Sequence, residues 1–392
     1  MSGRPVGVGA ARPGGWAYRQ APVLVTWQLT AGPGGGPRPT GGPAAESSEL
    51  TTAEGVALLA QIARFGDPPP HLELTGGDPL RRADIHALTR AARARGIAVT
   101  LAPAITPLLT RARLAHLAAD GVSALSLALD GSGPLRHEGL RRCPGSFDAT
   151  LAALDWAAEL ALPVQVNTLV GAANTLDLPA VYDLLCAHSV ARWSLAFLVS
   201  PGPTHVSREV SPGEAERLMT WLARLGREAP FQVRTTEPMH YHRVARCLAR
   251  KGLTRAQIEA HPSATGFGIR DGNGTVCVGH DGTITPSADL PLPLGSVRRD
   301  SLVVVYRTHP TMRALRDPDG FAGRCGACDC HDWCGGSRAR AFACTGDPLE
   351  SDPLCSYVPR GYAAAPAGVG VRAPGAVGGA APVSDAGGGI RR

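Results

Sequence analysis

The stretch Gly323–Cys355, GRCGACDCHDWCGGSRARAFACTGDPLESDPLC, carries most of the information in this 392-residue chain. Within it Cys325, Cys328, Cys334 and Cys355 are separated by two, five and twenty residues. Thiolates in short-spaced clusters bind soft metals, and four of them complete the shell of zinc or of an iron–sulfur cluster. Cys330 and Cys344 are extra and offer spare ligands. Cys143, Cys186, Cys247 and Cys277 are scattered, and each reads as a small buried hydrophobe.

The length allows two domains with proper cores, and 44% hydrophobic residues is ordinary for a globular chain. Nearly all the positive charge is arginine, since Lys251 is the only lysine, and the net charge of +6 is spread out. No dense basic run interleaved with aromatics marks a nucleic-acid surface. Arg90–Arg95 is the densest run and reads as a solvated helix face. No apolar run approaches the roughly 18 residues that a membrane span needs. The N-terminus lacks a charged-then-apolar signal pattern. A cytoplasmic protein is expected, where clustered cysteines are more often metal ligands than disulfides.

Upstream of the cysteines the pattern alternates strand and helix. Strands are expected over residues 22–29, 71–75, 97–101, 123–129, 164–170 and 193–199. Helices are expected over 52–65, 82–95, 110–120, 146–160, 177–188 and 211–227, with Thr51 or Thr52 capping the first. Such alternation implies a parallel sheet with right-handed crossovers. Spacing alone fits an open six-stranded barrel or a doubly wound sheet. After about residue 240 short strands flank Asp281–Gly282, a hairpin signal, and the cysteine segment follows. The expected organisation is a disordered tail over 1–20, a βα domain over 21–240, a small metal-stapled domain over 241–361 and a disordered Ala/Gly/Pro tail over 362–392.

Three segments taken together resemble the radical S-adenosylmethionine superfamily. TGGDP at Thr75–Pro79 resembles its glycine-rich motif, and LDG at Leu129–Gly131 follows a strand where the family has its fourth. The cysteine segment is similar to the SPASM/twitch extension, most of all that of the haem-biosynthesis and peptide-maturing members. The resemblance implies an α/β fold: a partial (βα)6 TIM-like barrel followed by a small cysteine-rich SPASM/twitch domain. It implies that Gly76, Gly77, Asp78 and Pro79 hold the amino group of S-adenosylmethionine with unhindered backbone. It implies cofactor contacts for Asp130 and Asn167 at the ends of the fourth and fifth strands. It implies one auxiliary [4Fe–4S] cluster on Cys325, Cys328, Cys334 and Cys355, with zinc as the structural alternative.

The chain departs from the family at one decisive place. Active members carry CxxxCxxC after the first strand, and those thiolates hold the cluster that splits S-adenosylmethionine. Here the equivalent positions are Pro33, Pro37 and Thr40, and no cysteine occurs from Met1 to Arg142. Proline offers no side-chain ligand, and a threonine hydroxyl is a hard donor unsuited to this iron. Ala128 replaces a family serine, and Gly171–Ala173 replaces a stretch that is often basic, which weakens the expected grip on the cofactor. The expectation is therefore a protein degenerate at the radical-generating cluster, acting as a non-catalytic or accessory partner. It would work beside an active paralogue, a peptide or a tetrapyrrole-like ligand. One alternative is an active radical enzyme acting on a peptide or tetrapyrrole-like substrate. Its N-terminal loop would be obscured by a sequence artefact such as compensating frameshifts, or its thiolates supplied by a partner chain. The other alternative is a zinc-stapled scaffold. His240 and His242, two residues apart, read as a surface pair rather than a metal site.

Overall fold

In the first strand, Leu24–Gln28 (β1), Val25 and Trp27 are fully buried while Leu24, Thr26 and Gln28 face the other way. That period of two is what a strand with helices on one side and a lumen on the other requires. Trp27 packs so closely on the first helix, Thr52–Ala63 (α1), that a Cβ on Gly55 would sit 2.7 Å from its ring. Thr51 caps α1 in a reciprocal capping box with Glu54. The computed structural model describes residues 18–31, 49–199, 209–236, 240–249 and 268–362. Pro33, Pro37, Thr40 and nearly all of the two expected tails lie outside these residues.

The alternation continues through His71–Thr75 (β2), Ile85–Arg93 (α2), Val99–Leu101 (β3), Arg111–Asp120 (α3) and Val122–Ala128 (β4). Two helices follow, Pro134–Arg141 (α4) and Ser146–Glu159 (α5), the first of them absent from the sequence reading. Then come Val164–Val170 (β5), Leu178–Cys186 (α6), Arg192–Phe197 (β6), Pro212–Leu225 (α7), Gln232–Thr235 (β7) and His240–Ala249 (α8). Strands β1 to β7 lie side by side in chain order and all parallel. A doubly wound sheet would reverse its order at a switch point, so the one-way order selects the barrel-like arrangement.

The C-terminal part joins the same sheet. Thr275–Val278 (β8) pairs parallel with β1, and Thr283–Thr285 (β9) and Gly295–Ser296 (β10) continue antiparallel beyond it. The hairpin read from Asp281–Gly282 thus covers the edge that β1 would otherwise expose. Helices Leu302–Thr308 (α9), Pro310–Leu315 (α10), Gly323–Gly326 (α11) and Arg338–Thr345 (α12) complete the described residues.

Side chains on the opposite face of the strands from Val25 and Trp27 form a polar network. Asn167 Nδ2 donates to Ser126 Oγ at 2.7 Å, Gln165 Nε2 donates to Asn167 Oδ1 at 2.8 Å, and Arg192 donates to Gln165 at 3.0 Å. Burial holds the Glu73 carboxyl above its ordinary range.

Two expectations fail here. His240 is fully buried and His242 is 8% exposed, because α8 packs on α7 and leaves neither histidine face free. Cys186 and Cys247 are exposed rather than buried, whereas Cys277 is buried as expected.

Candidate active site and thiolate pocket

Two regions collect the residues singled out in the sequence. The first is the turn after β2, at the carboxyl ends of the strands. Gly76 there has φ +115°, and a Cβ would lie 2.9 Å from the backbone of Leu29 and Thr30, so only glycine fits. Gly77 N donates to Thr30 O at 3.1 Å, and Asp78 N donates to Thr30 Oγ1 at 3.0 Å. Asp78 spends its carboxylate internally, accepting from Leu80 N and from Thr106 Oγ1. Pro79 opens a short 3-10 turn behind it. The turn is thereby locked onto the end of β1.

Asp130 is 2% exposed at the end of β4. One oxygen accepts from Leu169 N at 2.7 Å, and the other pairs with Arg141. Asp130 thus ties β4 to β5 and α4. Asn167 stands in register with Ala128, within the polar network. The stretch Gly171–Ala173 is held by Asn174 and by Arg136, which donates to Ala173 O at 2.7 Å.

The second region is a pocket of about 380 Å³, counting the part open to solvent, lined by Cys325, Cys328, Cys334 and Cys355. All four sulfurs of the expected quartet converge there. Arg243, Arg324, His331, Asp352 and Tyr357 complete the wall with Gly335 and Gly336. Cys325 belongs to α11, Cys328 follows it directly, and Cys334 precedes the two glycines, both at φ +67°. Every sulfur of the quartet receives a backbone N–H. Asp352 N reaches Cys325 Sγ at 3.3 Å, and Cys330 N reaches Cys328 Sγ at 3.4 Å. Gly336 and Tyr357 serve Cys334 and Cys355 in the same way. Cys330 is buried against Cys328 and Cys344 is exposed on α12; neither lines the pocket.

Protonation follows from these surroundings. The neighbouring Cys330 thiol draws Cys328 down to about 7 by hydrogen bonding. Burial pushes Cys355 up to about 11 and Cys334 well above its ordinary value. Such thiols keep their protons until a metal replaces them.

The spacing tests what the pocket accepts. Among the described residues, the one group of three ligand atoms lying within 4.8 Å of one another is Cys328, Asp329 and Cys330. No three sulfurs of the quartet are so close. Four sulfurs about 2.3 Å from a zinc ion would stand about 3.8 Å apart. A [4Fe–4S] cluster binds each thiolate to a different iron and holds them wider, and four thiolates lining one pocket are the donor type it takes. When bound, the cluster would supply one-electron transfer. The fit fails for the radical-generating cluster: Pro33, Pro37 and Thr40 offer no thiolate, and the first cysteine of the chain is Cys143.

The sequence reading missed the polar residues behind the quartet. Arg338 is fully buried and Arg340 and Asp352 are 1% exposed. Arg340 donates to Phe197 O at 3.2 Å and Leu198 O at 3.0 Å, fastening α12 to the carboxyl end of β6. Asp352 accepts from Ser337 N at 2.9 Å and lies 3.9 Å from Arg340. Two arginines at positions i and i+2 beside a thiolate run were the available signal. They read as solvated because charge is mostly exposed.

No family model matches the chain. It is 34% identical over 347 residues to an AdoMet-dependent heme synthase of Methanosarcina barkeri, covering 88% of this chain and 99% of that one. It is 26% identical over 317 residues to a PqqA peptide cyclase of Rhizobium meliloti, covering 79% and 80% of the two chains. Among solved structures it is similar to Streptococcus suis SuiB bound to S-adenosylmethionine, with a TM-score of 0.64, 14% identity and coverage of 86% and 78%.

Proposed function

Because the chain belongs to the radical S-adenosylmethionine family and to its SPASM-type branch, we propose that it serves the radical modification of a tetrapyrrole-like substrate. The single observation that carries this reading is the likeness to a heme synthase across 99% of that relative's length. Peptide cyclases are similar at lower identity, which puts a peptide substrate second. The relatives are named as catalysts, so a working barrel fits better than the non-catalytic accessory role expected from the loop. A zinc-stapled scaffold is disfavoured by the likeness to a relative named for AdoMet-dependent catalysis.

In this reading the lumen of the barrel receives the substrate, and the turn Gly76–Pro79 receives S-adenosylmethionine through its backbone. The quartet holds the auxiliary cluster. No step is routed through a second cluster, because the residues of this chain do not supply one. Its thiolates would come from a second chain, such as a paralogue, or from a corrected reading of codons 28–46. A shifted reading frame hides a cysteine codon only where the second residue of a pair is Ala or Val, or the first is Leu, Met or Val. Between Thr30 and Ser48 only Thr30–Ala31, Pro43–Ala44 and Ala44–Ala45 meet the first condition, and no pair whose first residue is Leu, Met or Val occurs. A frameshift alone therefore does not restore the spacing, and a correction would have to be a change of bases.

Restoring the ligands tests the barrel. The triple variant Pro33→Cys, Pro37→Cys, Thr40→Cys, reconstituted anaerobically, should rise from about four to about eight irons per chain. With dithionite it should form 5′-deoxyadenosine from S-adenosylmethionine. A variant that loads eight irons and forms none would return the protein to the accessory role.

A further inference from the structure

Arg338 is the one charged donor that meets a sulfur of the quartet directly among the described residues. Its Nη2 lies 3.4 Å from Cys325 Sγ. Its other donors go to neutral carbonyls: Nη1 to Pro348 O at 3.0 Å and Glu350 O at 2.7 Å, and Nε to Gly336 O at 3.4 Å. The guanidinium stacks on the Phe321 ring at 4.6 Å, and Arg270 stands over the same ring at 5.2 Å. Among the described residues no carboxylate pairs with Arg338, whereas Arg340, two residues on, lies near both Glu209 and Asp352. A fully buried cation without a counter-ion is costly, and the Cys325 sulfur is the one acceptor it meets that turns anionic when a metal binds.

The backbone is shaped to allow this contact. At Gly336, a Cβ would lie 2.6 Å from Arg338 Nη2 and 3.0 Å from Cys325 Sγ. The glycine keeps open the gap through which the guanidinium reaches the sulfur. The other three sulfurs receive only neutral donors: backbone N–H groups, and at Cys328 the Cys330 thiol as well. A four-thiolate cluster is anionic and gains a further negative charge on reduction, so a buried cation at one sulfur favours the reduced form.

We propose that Arg338 is a positioning residue for the auxiliary cluster that raises its reduction potential through Cys325 and draws the added electron to that side of the pocket. This rests on the quartet holding a four-iron cluster, as in the function proposed above. The test is a spectroscopic redox titration of the full-length reconstituted protein, with iron counted in each sample. Arg338→Met should load about four irons. At a fixed potential its ratio of reduced to oxidised cluster should fall about ten-fold, a shift of about 59 mV for one electron. Arg299→Met serves as the comparator, because Arg299 is exposed after β10 and does not line the pocket. Its ratio should move less than about two-fold. An unchanged ratio in loaded Arg338→Met, or an equal fall in Arg299→Met, overturns the assignment. If Arg338→Met loads no iron, Arg338→Lys carries the test: a fall of about three-fold supports the assignment and no fall overturns it. A wild-type chain that forms no four-iron cluster overturns the premise, and the assignment with it.

Discussion

The turn after β2 and the thiolate pocket are built to different degrees of completeness. At the turn, Gly76, Gly77 and Asp78 are locked onto Leu29 and Thr30 by contacts that need no cofactor. That geometry persists whatever follows β1, because strand pairing and Thr30 hold it. In the pocket, four cysteines line one space with Arg243 and Arg324, and the buried Arg338 stands behind Cys325. The turn is satisfied by its own contacts, whereas the pocket gathers four thiols around open space. The difference shows how a glycine turn of this shape can persist in a chain whose first cysteine is Cys143.

The largest effect is expected in the pocket. Cys328→Ala removes a ligand from a set of four, and iron should fall from about four to below about one per chain, with loss of the brown colour. Full loading with three thiolates would show that Cys330 substitutes, since its thiol already lies against Cys328.

The packing of α8 on α7 beside the pocket should respond to pH. Burial lowers His240 to about 4 and His242 to about 3, from 6.5. Their neutral forms are favoured in the fold, so their contribution is complete above pH 6.5, where the unfolded chain is also neutral. As pH falls below 6.5 the unfolded state takes up protons first and stability is lost, down to about pH 4 and 3. Each histidine accounts for on the order of 3 kcal/mol across that window. Urea titrations between pH 7 and pH 4 measure most of it, and replacing both with Gln should flatten the dependence.

The turn should give the smallest effect. Gly76→Ala places a side chain at φ +115° against backbone and should cost about 1–3 kcal/mol in urea unfolding. Iron in the pocket should not change, because the substitution meets only the backbone of Leu29 and Thr30. Loss of iron in this variant would couple the two regions.

Much of this was legible in the sequence. The cysteine spacing was readable because it is a local property, and the four cysteines line one pocket. The strand order was not readable, because period-two burial gives faces and not neighbours; the barrel came from the family resemblance and then from pairing. Strand β7, of four residues, was too short to stand out, and α4 contains the polar run LRHEGLR. His240 and His242 were misplaced because helical spacing assigns faces but cannot tell that both are covered. Arg338 was hidden for the same reason: its burial depends on Phe321 and on carbonyls of residues 348 and 350.

The account stands on one cluster held by Cys325, Cys328, Cys334 and Cys355. Mössbauer spectroscopy with iron and zinc analysis of the anaerobically reconstituted, sequence-verified chain tests it most directly. About four irons per chain in a single cubane signal is the expected result. One tightly bound zinc with no iron, or about eight irons without added cysteines, would contradict it.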